Sequence, residues 1–355
     1  MPVVFAIPGD LASPTGGYGY DRRLLTGLCD LGHDVAHLAL PGSFPFPSAE
    51  DLAATAAAFA AIGDGTSVLV DGLALGAMPE IVRAEAGRLD LVALLHHPLG
   101  LETGLGPEEA ARLTASENAA LPFVRHVVVT SAATARLVRD LFGVADRRIT
   151  VALPGTDRAA RATGAGDPPH LVSVGSLIAR KGHDTLIDAL ALIKDRRWRA
   201  TIAGSAPDPA HAASLRARAA DAGLAGRITF AGAVADVRAL MALGDVFVLA
   251  SRFEGYGMAF AEAMTQGLPV VACRAGAVPD VVPDSAGLLV APDDPAALAD
   301  ELSRLLDDPD LRARLADGAF AAGARLPRWT DTARAVAGVL ARAPVPFPTP
   351  LEHTT

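Results

Sequence analysis

Short, unbroken apolar runs recur along this chain, each followed by an alanine-rich stretch with helical spacing. The alternation happens twice. In the first half, strands are expected at 3–7, 35–40, 67–70, 91–95, 126–130 and 149–152, with helices near 19–31, 49–62, 79–88, 107–120 and 132–142. In the second, strands are expected at 170–174, 200–203, 227–230, 246–250, 269–272 and 287–290, with helices near 183–194, 209–222, 236–243, 257–266, 295–306 and 309–323. Continuous apolar strands separated by helices imply a parallel sheet covered on both faces. Small, polar and proline residues fill 155–169, the composition of a connector between domains that permits a hinge. The expected fold class is therefore α/β, with two Rossmann-like domains that share one layout. With 355 residues the chain is long enough for both cores.

Bulk properties exclude several functions. The formal charge of −9 weighs against nonspecific nucleic-acid binding and broad adhesion to acidic membranes, leaving peripheral membrane contact open but unindicated. Cys29 and Cys273 are the two cysteines; without metal-type spacing they predict neither a disulfide framework nor a zinc site and fit a reducing compartment. The first residues lack a basic leader and read as a strand, and no run of about 18 uncharged apolar residues occurs. A cytoplasmic location is the expectation. The proline-rich 344–350 segment reads as a tail outside the fold.

Residues 251–282 carry the strongest chemical signal. After the apolar run at 246–250 comes Ser251-Arg-Phe-Glu254-Gly255-Tyr256-Gly257-Met258, then a helix holding Glu262, then Gly267-Leu-Pro269-Val-Val and Gly276-Ala-Val-Pro279-Asp280. A strand, a glycine-rich turn and a helix start leave backbone N–H groups free to bind an anion. Carboxylates beside such a site suit sugar and ribose hydroxyls, because they accept hydrogen bonds strongly. The combination points to a phosphorylated sugar nucleotide. Upstream, a strand ends in Gly175-Ser176, followed by Arg180-Lys181-Gly182 and a new helix. Cations at a helix N-terminus are unfavourable unless an anion sits there, and a diphosphate would resolve the conflict.

This arrangement resembles the Glu-x7-Glu signature of the family-4 retaining glycosyltransferases, and the resemblance covers essentially the whole chain. It implies the GT-B fold, two Rossmann-like domains facing across a cleft. The acceptor side would be 1–155, completed by a returning helix at about 328–342, and 165–325 would bind the nucleotide sugar. It implies that Lys181 contacts phosphate, Glu254 the sugar and Glu262 the ribose, with Gly255, Tyr256, Gly257 and Met258 around the donor. The family's usual Gly-Arg is Gly175-Ser176 here, so Ser176 is left as a hydroxyl contact and Arg180 as the replacement charge. Ser13-Pro-Thr-Gly16-Gly17 after the first strand matches a Gly-Gly placed near donor phosphate and acceptor. His96 or His97, after the fourth strand, matches a histidine that contacts the transferred sugar. Val234 and Asp236 lie in a loop that holds the nucleobase, where Asp236 also reads as a helix cap.

The resulting expectation is a transfer enzyme with His96, Lys181 and Glu254 at its centre. Its donor would be UDP- or GDP-linked, its acceptor a small molecule, glycan or lipid, and it would need no other cofactor. No Asp-x-Asp motif follows a strand, so no metal is expected. There is no Gly-x-Ser-x-Gly elbow, Walker A loop or Gly-x-Gly-x-x-Gly fingerprint. A sugar-nucleotide epimerase, a glycoside phosphorylase and a non-catalytic nucleotide-binding protein stay open as alternatives. Acceptor, nucleobase and sugar are not readable from one sequence.

Overall fold

The computed structural model describes residues 2–102, 104–164 and 166–341. The proline-rich tail lies outside them. The described chain forms two units, the first comprising residues up to 153 (apart from 14–16) together with the segment from Trp329 onward, and the second running from Pro154 to Arg328.

The first unit holds β1 (Val3–Pro8), β2 (Val35–Leu40), β3 (Ser67–Asp71), β4 (Asp90–Leu95), β5 (His126–Val129) and β6 (Ile149–Val151). They form one parallel sheet in the order β2-β1-β3-β4-β5-β6. Its central strands read as unbroken apolar runs because successive side chains enter opposite cores. Val68 and Val70 pack with Phe59, Leu75 and Val82 on one face, while Leu69 between them packs with Phe5, Leu24 and Leu28 on the other. The helix Trp329–Leu340 belongs to this second face, where Ala333 and Val336 join the cluster. Thr332 Oγ1 donates to the Leu153 carbonyl at 2.7 Å and Arg125 to the Val339 carbonyl at 3.2 Å. Gly27 is needed there, since a Cβ would lie 2.8 Å from that of Ala333.

The second unit holds β7 (His170–Val174), β8 (Arg199–Ala203), β9 (Ile228–Gly232), β10 (Val246–Leu249), β11 (Val270–Cys273) and β12 (Gly287–Val290), ordered β12-β11-β10-β7-β8-β9, again all parallel. The two sheets thus differ in topology although their element patterns match. The first reverses direction between β1 and β3, the second between β7 and β10. The expectation of one shared layout holds for the alternation of elements and not for strand order.

Two further differences from the sequence reading have local causes. The first helix spans Gly16–Asp30, so Gly16 and Gly17 open the helix instead of preceding it. Arg22 holds that entry by donating to the carbonyls of Leu11 and Ser13. The segment read as a connector is tied along the second unit. Thr156 N–H donates to Pro327, Ala162 N–H to Gln266, and Gly166 N–H to Asp245. The first two acceptors are carbonyls and the third is the Asp245 carboxylate; small residues allow the backbone this close approach.

Candidate active site

Open parallel sheets bind ligands beyond the carboxyl ends of strands, at the point where strand order reverses. In the second unit that point lies between β7 and β10, and the two loops there meet. Glu254 is 5% exposed, and its carboxylate takes Lys181 Nζ at 2.7 Å and the Ser251 hydroxyl at 2.7 Å on Oε1, with Arg180 3.8 Å from Oε2. Burial alone would raise the Glu254 pKa; Lys181, Arg180 and the Ser251 hydroxyl outweigh it and hold the group below its ordinary value.

The local sequence builds this meeting. Ala179–Lys181 forms a short 3-10 turn, and Gly182 (φ +63°) leads into the helix His183–Leu192. A Cβ at Gly182 would run into the Ala250 carbonyl, and the Lys181 stem lies against Gly175. Backbone joins the loops directly, with Arg252 N–H donating to the Arg180 carbonyl at 2.8 Å. The Arg252 guanidinium pairs with Asp184 at 2.8 Å and Asp293 at 2.7 Å. Glu254 is pinned from behind, its carbonyl accepting Ala277 N–H at 2.9 Å and leaving no room for a side chain at Gly276. His183 beneath the turn is buried, which pushes its imidazole down to about 4, so it stays neutral with Nε2 3.2 Å from the Gly175 carbonyl.

Glu254, expected to face sugar hydroxyls, also meets the two cations, its carboxylate being the buried anion that offsets them. Arg180 points with Lys181 to the same carboxylate, whereas Ser176 pairs with Ser205 at 3.0 Å. Gly257 (φ +97°) sits at the N-cap of the helix Met258–Thr265 with no side chain to cap it. Phe260 N–H bonds the Gly257 carbonyl at 3.0 Å, and the amides of Met258 and Ala259 ahead of it have no acceptor within the helix. Tyr256 is buried beside them, 6% exposed, and its hydroxyl has no hydrogen-bond partner. Glu262 lies half-buried on the same helix, eight positions after Glu254 in sequence. Asp236 caps the helix Val237–Ala242 by accepting Ala239 N–H at 2.9 Å, and half-buried Val234 lies in the loop before it, at the outer edge beyond β9.

In the first unit a second cluster lies at the corresponding reversal point. His96 follows β4, and its Nε2 lies 3.3 Å from Asp21 Oδ1 and 3.4 Å from Asp71 Oδ2. Both carboxylates are 1% exposed. Asp71 ends β3 and caps the next turn by accepting Leu73 N–H at 2.8 Å. Gly17 faces the ring: a Cβ there would sit 3.6 Å from His96 Cδ2. His97 turns away to Glu102 at 3.0 Å. The sequence reading found His96 and missed both aspartates. An acid closing the apolar strand 67–71 was the available signal for Asp71; Asp21, on a helix, offered none. These three are the described residues whose donor atoms lie close enough to consider for a cation, but the imidazole Nε2 already lies against both carboxylates.

The same unit holds Glu117, also unforeseen. It is fully buried, with Oε2 accepting Leu99 N–H at 3.0 Å and Oε1 without a partner. Burial pushes its pKa up to about 8.

Likenesses to a protein family and to three known proteins bear on this geometry. Residues 168–308 match the family model described as "Glycosyl transferases group 1". The chain is 37% identical over 152 residues to the lipopolysaccharide core biosynthesis mannosyltransferase LpsB of Rhizobium meliloti, an alignment covering 41% of this chain and 43% of that protein. It is 32% identical over 286 residues to D-inositol 3-phosphate glycosyltransferase 2 of Catenulispora acidiphila, covering 71% and 66%. Several curated relatives are matched over only about two fifths of their length. Sucrose-phosphate synthase from Thermosynechococcus elongatus shares the fold, with a TM-score of 0.81 at 22% identity over 95% of this chain and 98% of that one. Residues 168–308 thus match the group-1 glycosyltransferases, and the chain has the two Rossmann-like domains of the GT-B fold.

Glu117 yields a stability prediction whose sign follows from burial. Its folded pKa is raised, so the folded state binds more protons than the unfolded state between about pH 4.5 and 8, and stability falls as pH rises through that window. Glu117→Gln keeps an acceptor for Leu99 and removes the ionisation. The variant should gain on the parent by at least ~1.4 kcal/mol, the worth of one pKa unit, between pH 5 and 8 in denaturant unfolding. A pH-independent difference would contradict this.

Proposed function

We propose that the protein transfers a sugar from a UDP- or GDP-linked donor to an acceptor with retention at the anomeric carbon and without a metal. The observation that carries the reading is the convergence of Lys181 and Arg180 on one buried carboxylate where the second sheet reverses. Breaking a sugar–phosphate bond leaves negative charge on the departing diphosphate. Preorganised cations and first-turn amides stabilise that charge without reorganising. Lys181, Arg180 and the amides after Gly257 form such a set, with Glu262 accepting from the ribose and Val234 and Asp236 flanking the base. Arg180 takes the place of the arginine that Ser176 lacks.

Glu254 has two tasks in this scheme. It holds the two cations in place, and its carboxylate accepts from a hydroxyl of the sugar. A carboxylate kept ionised by two cations is a weak base and a poor nucleophile, which favours a route without an enzymic covalent intermediate. The acceptor then attacks on the face that the diphosphate leaves, and a phosphate oxygen takes its proton. In the first unit, His96 and Gly17 offer polar and close-approach contacts to sugar or acceptor oxygens, and Gly16 precedes Gly17 at the helix start.

Lys181→Ala should lose about 10- to 150-fold in affinity for a nucleoside diphosphate, the loss of one charge-assisted hydrogen bond of roughly 1.5–3 kcal/mol. Affinity for the bare nucleoside should change little; equal losses, measured by calorimetry, would show that Lys181 does not touch phosphate. Transfer should also survive EDTA treatment of metal-stripped protein, with an α-linked product from an α-linked donor. Activity that returns only with magnesium or manganese, or an epimer formed without acceptor, would overturn the proposal.

A further inference from the structure

The His96 imidazole is engaged at one nitrogen only. Its Nε2 faces Asp21 and Asp71 at 3.3 and 3.4 Å, while Nδ1 has no partner among the described residues and is not sealed from solvent. The ring is held in place. Tyr20 meets it edge-on at 5.3 Å and 84°, and its backbone carbonyl accepts from Thr130 and Thr134, each at 3.2 Å.

Among the described residues, the charges acting most strongly on the ring are negative. Asp21 comes from the helix Gly16–Asp30 and Asp71 from the end of β3, with Asp10 farther out in the loop after β1. The hydroxyls of Tyr18 and Tyr20 are spent on the carbonyls of Pro8 and Ala152. Arg22 is turned to Leu11 and Ser13, and His97 to Glu102. A neutral imidazole donating from Nε2 would leave Nδ1 an acceptor; an imidazolium makes Nδ1 a donor as well.

We propose that Asp21 and Asp71 are positioning residues that hold His96 by Nε2–H as an imidazolium, so that Nδ1–H is a fixed hydrogen-bond donor to an oxygen of the bound ligand and not a proton acceptor. The proposal rests on the reading of His96 as a ligand-facing residue of a sugar transferase. It specifies the chemistry recognised: a hydroxyl, ring or phosphate oxygen with a free lone pair. It also assigns the acceptor's proton elsewhere, since His96 arrives already protonated. The electrostatics agree: burial opposes the charge on His96, but Asp21 and Asp71 outweigh it and push the imidazole up to about 10. Burial first, then Asp71, raises Asp21 to about 7, with His96 pulling the other way.

Long-range proton–nitrogen NMR on protein labelled with 15N-histidine tests this without any ligand, the His96 signals being assigned by their loss in His96→Gln. Both ring nitrogens of His96 should show the protonated pattern at pH 8. Asp21→Asn and Asp71→Asn should each lower the His96 titration by about one pH unit or more, as expected when one of two close carboxylates is removed. Asn at position 71 still offers an oxygen to Leu73 N–H, so the turn it caps is kept. A neutral tautomer at pH 8 in the unmodified protein, or titrations unmoved in both variants, overturns the proposal. With UDP-glucose or GDP-mannose as donor, kcat/KM should be flat from pH 6 to 8 in the parent and fall with rising pH in Asp71→Asn. Flat profiles in both would overturn the ligand-facing role. If neither donor is turned over, the transferase reading fails while the NMR result stands by itself.

Discussion

The ion cluster of Lys181, Arg180 and Glu254 is the interaction around which the second unit's site is arranged. Two cations at a helix start oppose the helix dipole, and a carboxylate 5% exposed pays a large desolvation cost. Each is tolerable only with the other. Their meeting requires two loops far apart in sequence to touch, which is why Gly182 and Gly276 sit where any side chain would strike backbone. Removing one partner would leave buried charge uncompensated, commonly a loss of about 3–5 kcal/mol. Such mutual pinning preorganises the charges, which is what electrostatic stabilisation of a departing anion calls for.

The first unit repeats the principle with the signs exchanged. There two buried carboxylates surround one imidazole, again beyond the strand ends where the sheet order reverses. Each unit therefore carries a charge cluster at the point where topology opens a crevice. Both clusters are held by backbone: Asp71 by capping a turn, Glu254 by the amide of Ala277. The two units reach this result with different strand orders, so the likeness is one of physics and position.

All twelve strands were legible in the sequence, the central ones because burial on both faces leaves apolar runs such as 68–70 and 91–95. Strand order was not legible, since a parallel crossover reads alike whether the next strand lands on the left or the right. The residues of the second site were found through glycine and charge punctuation around Lys181 and Glu254. Their pairing was not, because 73 positions separate them and nothing local announces it. Asp21 escaped notice because an acid on a helix ordinarily faces water; only the fold shows it 1% exposed. Glu117 was hidden in the same way, on a helix whose other acids are solvated. The segment 155–169 has the composition of a free connector and yet is bound along the second unit, because its small residues suit close backbone contact as well as flexibility.

The account stands most directly on where a diphosphate goes. A crystal structure of the protein with a bound nucleoside diphosphate sugar would decide it. The account predicts phosphate oxygens within hydrogen-bonding distance of Lys181 Nζ and the Arg180 guanidinium, at the carboxyl ends of β7 and β10, with the amides after Gly257 alongside. A diphosphate bound elsewhere, touching neither cation while Glu254 keeps both, would contradict it.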